Sequence, residues 1–388
     1  MHVQLYMIKI TTRRNLLYPL MLFIFSICRE IDSLLIGRIG FSGSLLLTFL
    51  MFFAEFIAGF CLFIYHITFL YRKNTSKFMG IKLIQAPSDI KHPDNIFKIY
   101  FLIFMAAYFD FIEFIITTIY ISKYYSDASK TLYIRQRCIL TLFTAFFCYY
   151  LLKFKIFKHQ VFSLIVILVC LIGIIISEYI FEELPESKIE FTKLLFFIFI
   201  DYFFNSFIEN IDKYLLEYNF MNPFKILMFE GIFGLIFTLI YSTKEDPLKA
   251  INNFDKDKKP YLIVYLVLFF VFSCGRNSYR IVTNKIYSPM TRTLADSFLD
   301  PFLILYYYLN KEDFKMKGFK KIAYFSINFI FLIIIIICGL IYNELVVLFC
   351  CDLQHDTHSE ISNRATEEKN QELSSILKSY NSDVNDSF

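Results

Sequence analysis

With 57% of its 388 residues apolar and a mean hydropathy of +0.52, the chain is too hydrophobic for an ordinary water-soluble domain. Its formal net charge of +4 is too small, and too evenly spread, to mark a nucleic-acid binder. The 49 Phe and 27 Tyr, with no Trp, fit a codon bias and carry no functional inference; Tyr alone is left to form an interfacial belt.

The first apolar run, NLLYPLMLFIFSICREIDSLL, starts too late and ends in too many charges for a cleaved signal peptide. It predicts a helix over about 15–37. Further helices are predicted over 43–71, 97–122, 133–153, 160–178, 192–214, 221–242, 260–282, 287–309 and 322–345. VFSLIVILVCLIGIII (161–176) and SINFIFLIIIIICGLIY (326–342) carry no charge. Each is near the roughly 20 residues a helix needs to cross about 30 Å of hydrocarbon. The runs are too long and too unalternating for barrel strands. The longer loops fall at 72–96 and 243–259. The polar stretch 352–388 is expected to be disordered.

The expected fold is an all-α polytopic membrane protein with ten transmembrane helices in two inverted five-helix repeats, 1–180 and 181–351. A faint internal spacing suggests the repeat. Arg135 precedes Tyr149-Tyr150 and Arg292 precedes Tyr306-Tyr307, each pair separated by 157 residues. The junction FEELPESKIE is acidic and contains Pro185, as a linker would. Basic residues are balanced between the two sets of loops, so the positive-inside rule assigns no orientation. An inverted repeat explains that balance, because equivalent loops then lie on opposite faces.

Charges inside apolar helices cost about 2.5–3.5 kcal/mol each on insertion scales and usually face a bundle interior or a water-filled cavity. Here they form stripes. Asp201, Asn205 and Glu209 recur every four residues on the sixth helix, and Arg292, Asp296 and Asp300 do so on the ninth. Such spacing puts each set on one face. Arg276 and Arg280 are one turn apart on the eighth, Asp110 and Glu113 pair on the third, and Glu230 lies in the seventh. Arg292 and Asp296 are spaced for a helical ion pair. Mutual neutralisation accounts for any one of these residues. The whole set suits a pathway for a charged or hydroxyl-rich solute better than mere packing, for which small or weakly polar residues suffice.

Enzyme signatures are missing: the sequence has no Gly-rich phosphate loop, nucleophile elbow or HExxH. The nine cysteines make no CxxC pair or zinc-type cluster. No catalytic residue, metal or cofactor is expected. Cys350-Cys351, at the end of the last apolar run, is a candidate for palmitoylation. Glu372 to Leu377 resembles an acidic dileucine sorting signal, and the sequon at Asn74 is expected to carry no glycan because its loop is placed inside.

Four segments carry a resemblance. TLYIRQRCILTLFTAFFCYYLLKFKIFKHQ (131–160) is similar to the fourth helix of drug/metabolite transporter (EamA-like) superfamily members. MFFAEFIAGF (51–60), with Glu55, resembles the second helix of solute carrier family 35, in its nucleotide-sugar-transporter-like F branch. FMNPFKILMFEGIFGLIF (220–237) matches with Pro223, Glu230, Gly231 and Gly234, and NSYRIVTNKIYSPMTRTLADS (277–297) with Asn277, Lys285, Arg292 and Asp296. Arg276 and Arg280 stand where that family has small residues, and Arg29, Glu30 and Asp32 make the first helix unusually charged. The resemblance prefers Arg137 as the counterpart of Arg292, whereas the internal spacing prefers Arg135; Arg137, deeper in its helix, is the choice here.

The resemblance implies a secondary transporter or exchanger of a small anionic metabolite, such as a nucleotide-linked solute, in an endomembrane (Golgi, ER or endolysosomal/vacuolar) with cytosolic termini. Its substrate site would draw on Arg137, Arg292, Asp296, Glu230, Asp110, Asn277 and Lys285. Partners would be the solute and the lipid bilayer, with no nucleic acid; a homodimer is allowed. The rivals are a non-transporting membrane scaffold or assembly subunit that keeps the fold, and a membrane-embedded enzyme acting on a lipid.

Overall fold

The computed structural model describes residues 17–41, 43–73, 77–78, 81–82, 95–117, 138–181, 188–243, 247–252, 254–309, 318–344 and 346, with the isolated positions 357 and 364. Arg135, Arg137, Asn74, the Cys350-Cys351 pair and the 372–377 segment lie outside them. The described chain is helical except for a two-residue antiparallel ribbon, β1 (Lys77–Phe78) with β2 (Ile81–Lys82). The helices are α1 (Leu17–Arg38), α2 (Ser44–Lys73), α3 (Ile96–Ile115), α4 (Cys138–Tyr150), α5 (Lys158–Phe181) and α6 (Lys188–Glu217). There follow α7 (Pro223–Ser242), the short α8 (Pro247–Asn252), α9 (Lys259–Ile286), α10 (Pro289–Ser297), α11 (Leu299–Leu309) and α12 (Phe319–Tyr342).

Local sequence explains the helix ends. Asn95 and Asn222 accept the backbone N–H of Phe97 and Phe224 at the starts of α3 and α7, and Ser288 accepts that of Thr291 at the start of α10. These are N-caps, and Pro223 and Pro289 then stand at first helical positions that lack a bonded N–H anyway. The ninth predicted helix is interrupted at Phe298 and becomes α10 and α11. Pro301 is the reason. It has no N–H to give, and its ring clashes with the carbonyl four residues back.

Among the described residues, six helices are long and apolar enough to cross a membrane: the main parts of α2, α5, α6, α7, α9 and α12. The other expected spans are also helical in their described parts, but are charged (α1, α3), short (α4) or broken (α10 with α11). The distribution of polarity is inside-out. Ile165, Val169, Ile172 and Ile176 of α5 are exposed along one face, while Glu55, Asp201, Glu209, Asp212, Lys213, Glu230, Arg280 and Arg292 are buried. An apolar outer face of this extent needs lipid rather than water against it.

The packing follows a regular scheme. α2 lies against α7, and α5 against α12. α1 packs on α9 and α3 packs on α6; α2 meets α9 and α3 meets α7; α4 meets α6 and α1 meets α10. Small residues let α2 and α7 approach closely. A Cβ at Gly59 would stand 2.5 Å from the backbone nitrogen of Met228, and one at Gly231 would collide with the backbone of Phe56. A Cβ at Gly234 would enter the ring of Phe52. The two helices carry the same pattern there, Glu55-Phe-Ile-Ala-Gly59 and Glu230-Gly-Ile-Phe-Gly234; 230 − 55 and 234 − 59 both give 175.

Backbone cannot yield as a flexible side chain does. Gly231→Ala should therefore destabilise the purified protein by roughly 1–3 kcal/mol, the usual cost of overpacking. Gly37→Ala, whose added Cβ meets nothing within 4 Å, should be neutral or slightly stabilising. Melting followed by fluorescence-detected size exclusion checks both. Equal melting temperatures for the two variants would contradict a close α2–α7 crossing.

Candidate functional site

The crossing of α2 and α7 places one carboxylate from each helix on the same cation. Arg280 of α9 stands 3.3 Å from Glu230, a distance that includes a hydrogen bond, and 3.6 Å from Glu55. Glu55 is fully buried and Glu230 nearly so, at 0% and 2% exposure. Asp110 of α3 and Asp212 of α6 lie within electrostatic reach of the same guanidinium. Four helices thus bring a carboxyl group within electrostatic range of one arginine.

A second set lies on α6, α9 and α10. Arg292 reaches across to Glu209 at 3.1 Å. It does not pair with Asp296 one turn on, as the sequence spacing suggests; Asp296 is met instead by Arg276 at 3.9 Å and accepts a hydrogen bond from Ser26 of α1 at 3.4 Å. The i,i+4 spacing permits a local pair, but a buried guanidinium gains more from a fully buried carboxylate on a neighbouring helix. Arg292 keeps Nε and Nη1 without a hydrogen-bond partner, and both amide atoms of buried Asn277 are likewise unengaged.

A third set closes the α3–α6 contact. Asn205 donates to Glu113 at 2.9 Å, and Thr117 donates to Asp201 at 2.8 Å. The stripe Asp201, Asn205, Glu209 thus faces inward, as its period predicts. Lys213 has a separate role. Its Nζ donates to the carbonyls of Asn284, Lys285 and Tyr287, and it pairs with Glu217 at 2.6 Å. Those carbonyls end α9, so a buried ammonium satisfies the acceptors and complements the negative end of the helix dipole.

Of the expected site residues, Glu230, Asp110, Arg292 and Asp296 fall on this charged seam. Asn277 is buried on the same helix as the two arginines. Lys285 is only half-buried, and its backbone carbonyl, not its ammonium, joins the contact with Lys213. Arg137 lies outside the described residues. The sequence reading took Arg276 and Arg280 as departures from a family pattern and passed over Asp212. Their signal was present all the same: two arginines one turn apart inside an apolar helix need acids opposite them. Among the described residues, no group of three or more His, Cys, Asp or Glu has the geometry to hold a metal ion.

Compared with protein-family models and with curated proteins, the chain matches none.

Removing the central cation strands two buried carboxylates. Arg280→Met keeps most of the stem and should cost roughly 3–5 kcal/mol, the usual penalty for breaking a buried pair from one side. Melting curves of Arg280→Met should show that deficit against wild type; an unaltered melting temperature would rule out the clamp.

Proposed function

We propose that this chain is a ten-span secondary transporter that moves a small, polar, anionic metabolite by alternating access. Residues 1–180 and 181–351 form two five-helix repeats of opposite orientation, with the polar 352–388 segment as a tail. Rocking of one bundle against the other would expose a midplane site to each side in turn.

The observation that carries this reading is the seam of buried charge inside helices whose outer faces are apolar. Such charges are expensive in a membrane and mark solute or ion pathways. Helix pairing supports the repeats. If α1 to α5 correspond to α6, α7, α9, α10 with α11, and α12, then the α1–α9 and α3–α6 contacts are equivalents, as are α2–α9 with α3–α7 and α4–α6 with α1–α10. The Glu-x-Ile-x-Gly pattern recurs in the two helices that this scheme makes equivalent, α2 and α7. The resemblance to solute carrier family 35 agrees with the same order of segments.

Arg292 is the best anchor for an anion. Its Nε and Nη1 are unengaged, and a guanidinium offers a planar fork to carboxylate or phosphate. Arg276 and Asp296 stand alongside, Asn277 offers an unengaged amide, and Arg137 would contribute from the other repeat. The location expected is an endomembrane, with both ends of the sequence on the cytosolic side.

Two outcomes are expected. Tags at Met1 and Phe388 should be reached from the same side in selectively permeabilised cells; opposite sides would refute an even number of spans. Arg292→Lys keeps the charge and loses the fork. In proteoliposomes tested with nucleotides, nucleotide sugars and amino acids, it should fold and exchange solute with an apparent affinity about tenfold or more below wild type. A normal affinity in well-folded Arg292→Lys protein would remove Arg292 from the site.

A further inference from the structure

Helices α4, α6, α9 and α12 end at Tyr150, Glu217, Ile286 and Tyr342, and polar contacts tie these ends together. The hydroxyl of Tyr218, just past α6, donates to the carbonyl of Leu152, just past α4, at 2.7 Å. Gln160, in the first turn of α5, donates to the carbonyl of Tyr342 at 3.4 Å. Thr291 of α10 donates to Asn343, just past α12, at 2.8 Å. The tied segments also share one buried apolar cluster, a plug: Ala145, Cys148 and Leu152 on the α4 side, Met290 of α10 and Tyr342 of α12, with Tyr214 of α6 packed against them.

Lys213 of α6 fastens the corner between α9 and α10 to this end. Its ammonium is 2% exposed and donates to the carbonyls of Asn284 at 2.9 Å and Lys285 at 3.4 Å, and to that of Tyr287. The corner needs an outside donor. Within a continuous helix the Lys285 carbonyl would accept the N–H of residue 289, but that residue is Pro289, which has none. Met290, which follows directly, is part of the plug. One turn back on α6, Glu209 holds Arg292 of α10 at 3.1 Å. Adjacent turns of α6 therefore grip the α9–α10 corner, and one of the two grips contains the guanidinium assigned above to the solute.

We propose that Lys213 is the latch of a gate. It keeps this end of the bundle closed, and its release lets the α9–α10 corner carry Met290 away from the plug and admit water. That a solute passes this way rests on the transport reading above; the latch does not. The ammonium has somewhere to go, because its partner Glu217, at 2.6 Å, is 40% exposed. Nζ can move outward with Glu217 and leave the carbonyls. A solute anion that takes the fork of Arg292 competes with Glu209 for it. The closure then depends on Lys213.

Cys148 reports on the gate in the native sequence. It is 2% exposed, and its Sγ lies 3.2 Å from Oδ1 of Asn210 on α6. Purified full-length protein is treated with a hydrophilic maleimide, and modification of each cysteine is followed by mass spectrometry. Cys170 of α5 and Cys338 of α12, buried in a different cluster, register general unfolding. Lys213→Met should speed labelling of Cys148 at least about tenfold over wild type and leave Cys170 and Cys338 within about twofold, as local opening requires. An unchanged rate at Cys148 overturns the latch, and so does an equal rise at all three cysteines. If Lys213→Met does not fold, Glu217→Gln, changed at the surface, decides by the same comparison: faster labelling confined to Cys148 supports the latch, and an unchanged rate overturns it. In the proteoliposome panel, Lys213→Met should exchange solute at least about tenfold more slowly than wild type, because an end that does not close cannot alternate. Normal exchange by a variant whose Cys148 labels fast overturns the gate's part in transport. If wild type moves no solute, the transport reading fails, and the labelling still decides the latch.

Discussion

Arg280 is the constraint on which the rest of the structure turns. Its guanidinium sits where α2 and α7 cross, and it binds a glutamate from each. The crossing must be tight for one side chain to reach both, and Gly59, Gly231 and Gly234 make it so. Without the arginine, two buried carboxylates would lose the one cation within 4 Å of them among the described residues. Without the glycines, the helices would stand too far apart to share it. Charge and packing therefore specify each other at this point.

The other polar contacts extend the same logic outward. Glu209 with Arg292, Asp296 with Arg276 and Ser26, and Glu113 with Asn205 each tie two helices together across the interior. Lys213 ends α9 by satisfying its last carbonyls. Hydrophobic burial offers little net drive between helices already in lipid, so such polar ties and close small-residue contacts hold the bundle. A bundle held by charge pairs can also rearrange by exchanging partners, as the proposed alternating access would require.

Much of this was legible in the sequence, and the limits have physical causes. The period-four stripe on α6 placed Asp201, Asn205 and Glu209 inward, because helical geometry is local. The helix starts at Asn95, Asn222-Pro223 and Ser288-Pro289 carry local cap signals of the same kind, which the sequence reading did not use. Partner choice was not. Arg292 was spaced for Asp296 and found Glu209, since the decision depends on which helix lies across the interior. Arg280 looked like an anomaly until Glu55 and Glu230, 175 residues apart in sequence, were seen on the same crossing. Asp212 escaped notice because it adjoins Lys213 and reads as part of a polar helix end, whereas the fold turns the two side chains to different partners. The break at Phe298 follows from Pro301, which the reading of one helix over 287–309 did not take into account.

The central claim, that Arg280 exists to neutralise the two crossing glutamates, is tested most directly by removing all three charges together. Breaking a buried pair from one side is costly, whereas replacing the whole set with neutral groups is often nearly free. The melting temperature of Arg280→Met with Glu55→Gln and Glu230→Gln should therefore recover most of what Arg280→Met alone loses. A triple variant that melts as low as, or lower than, Arg280→Met alone would contradict the account.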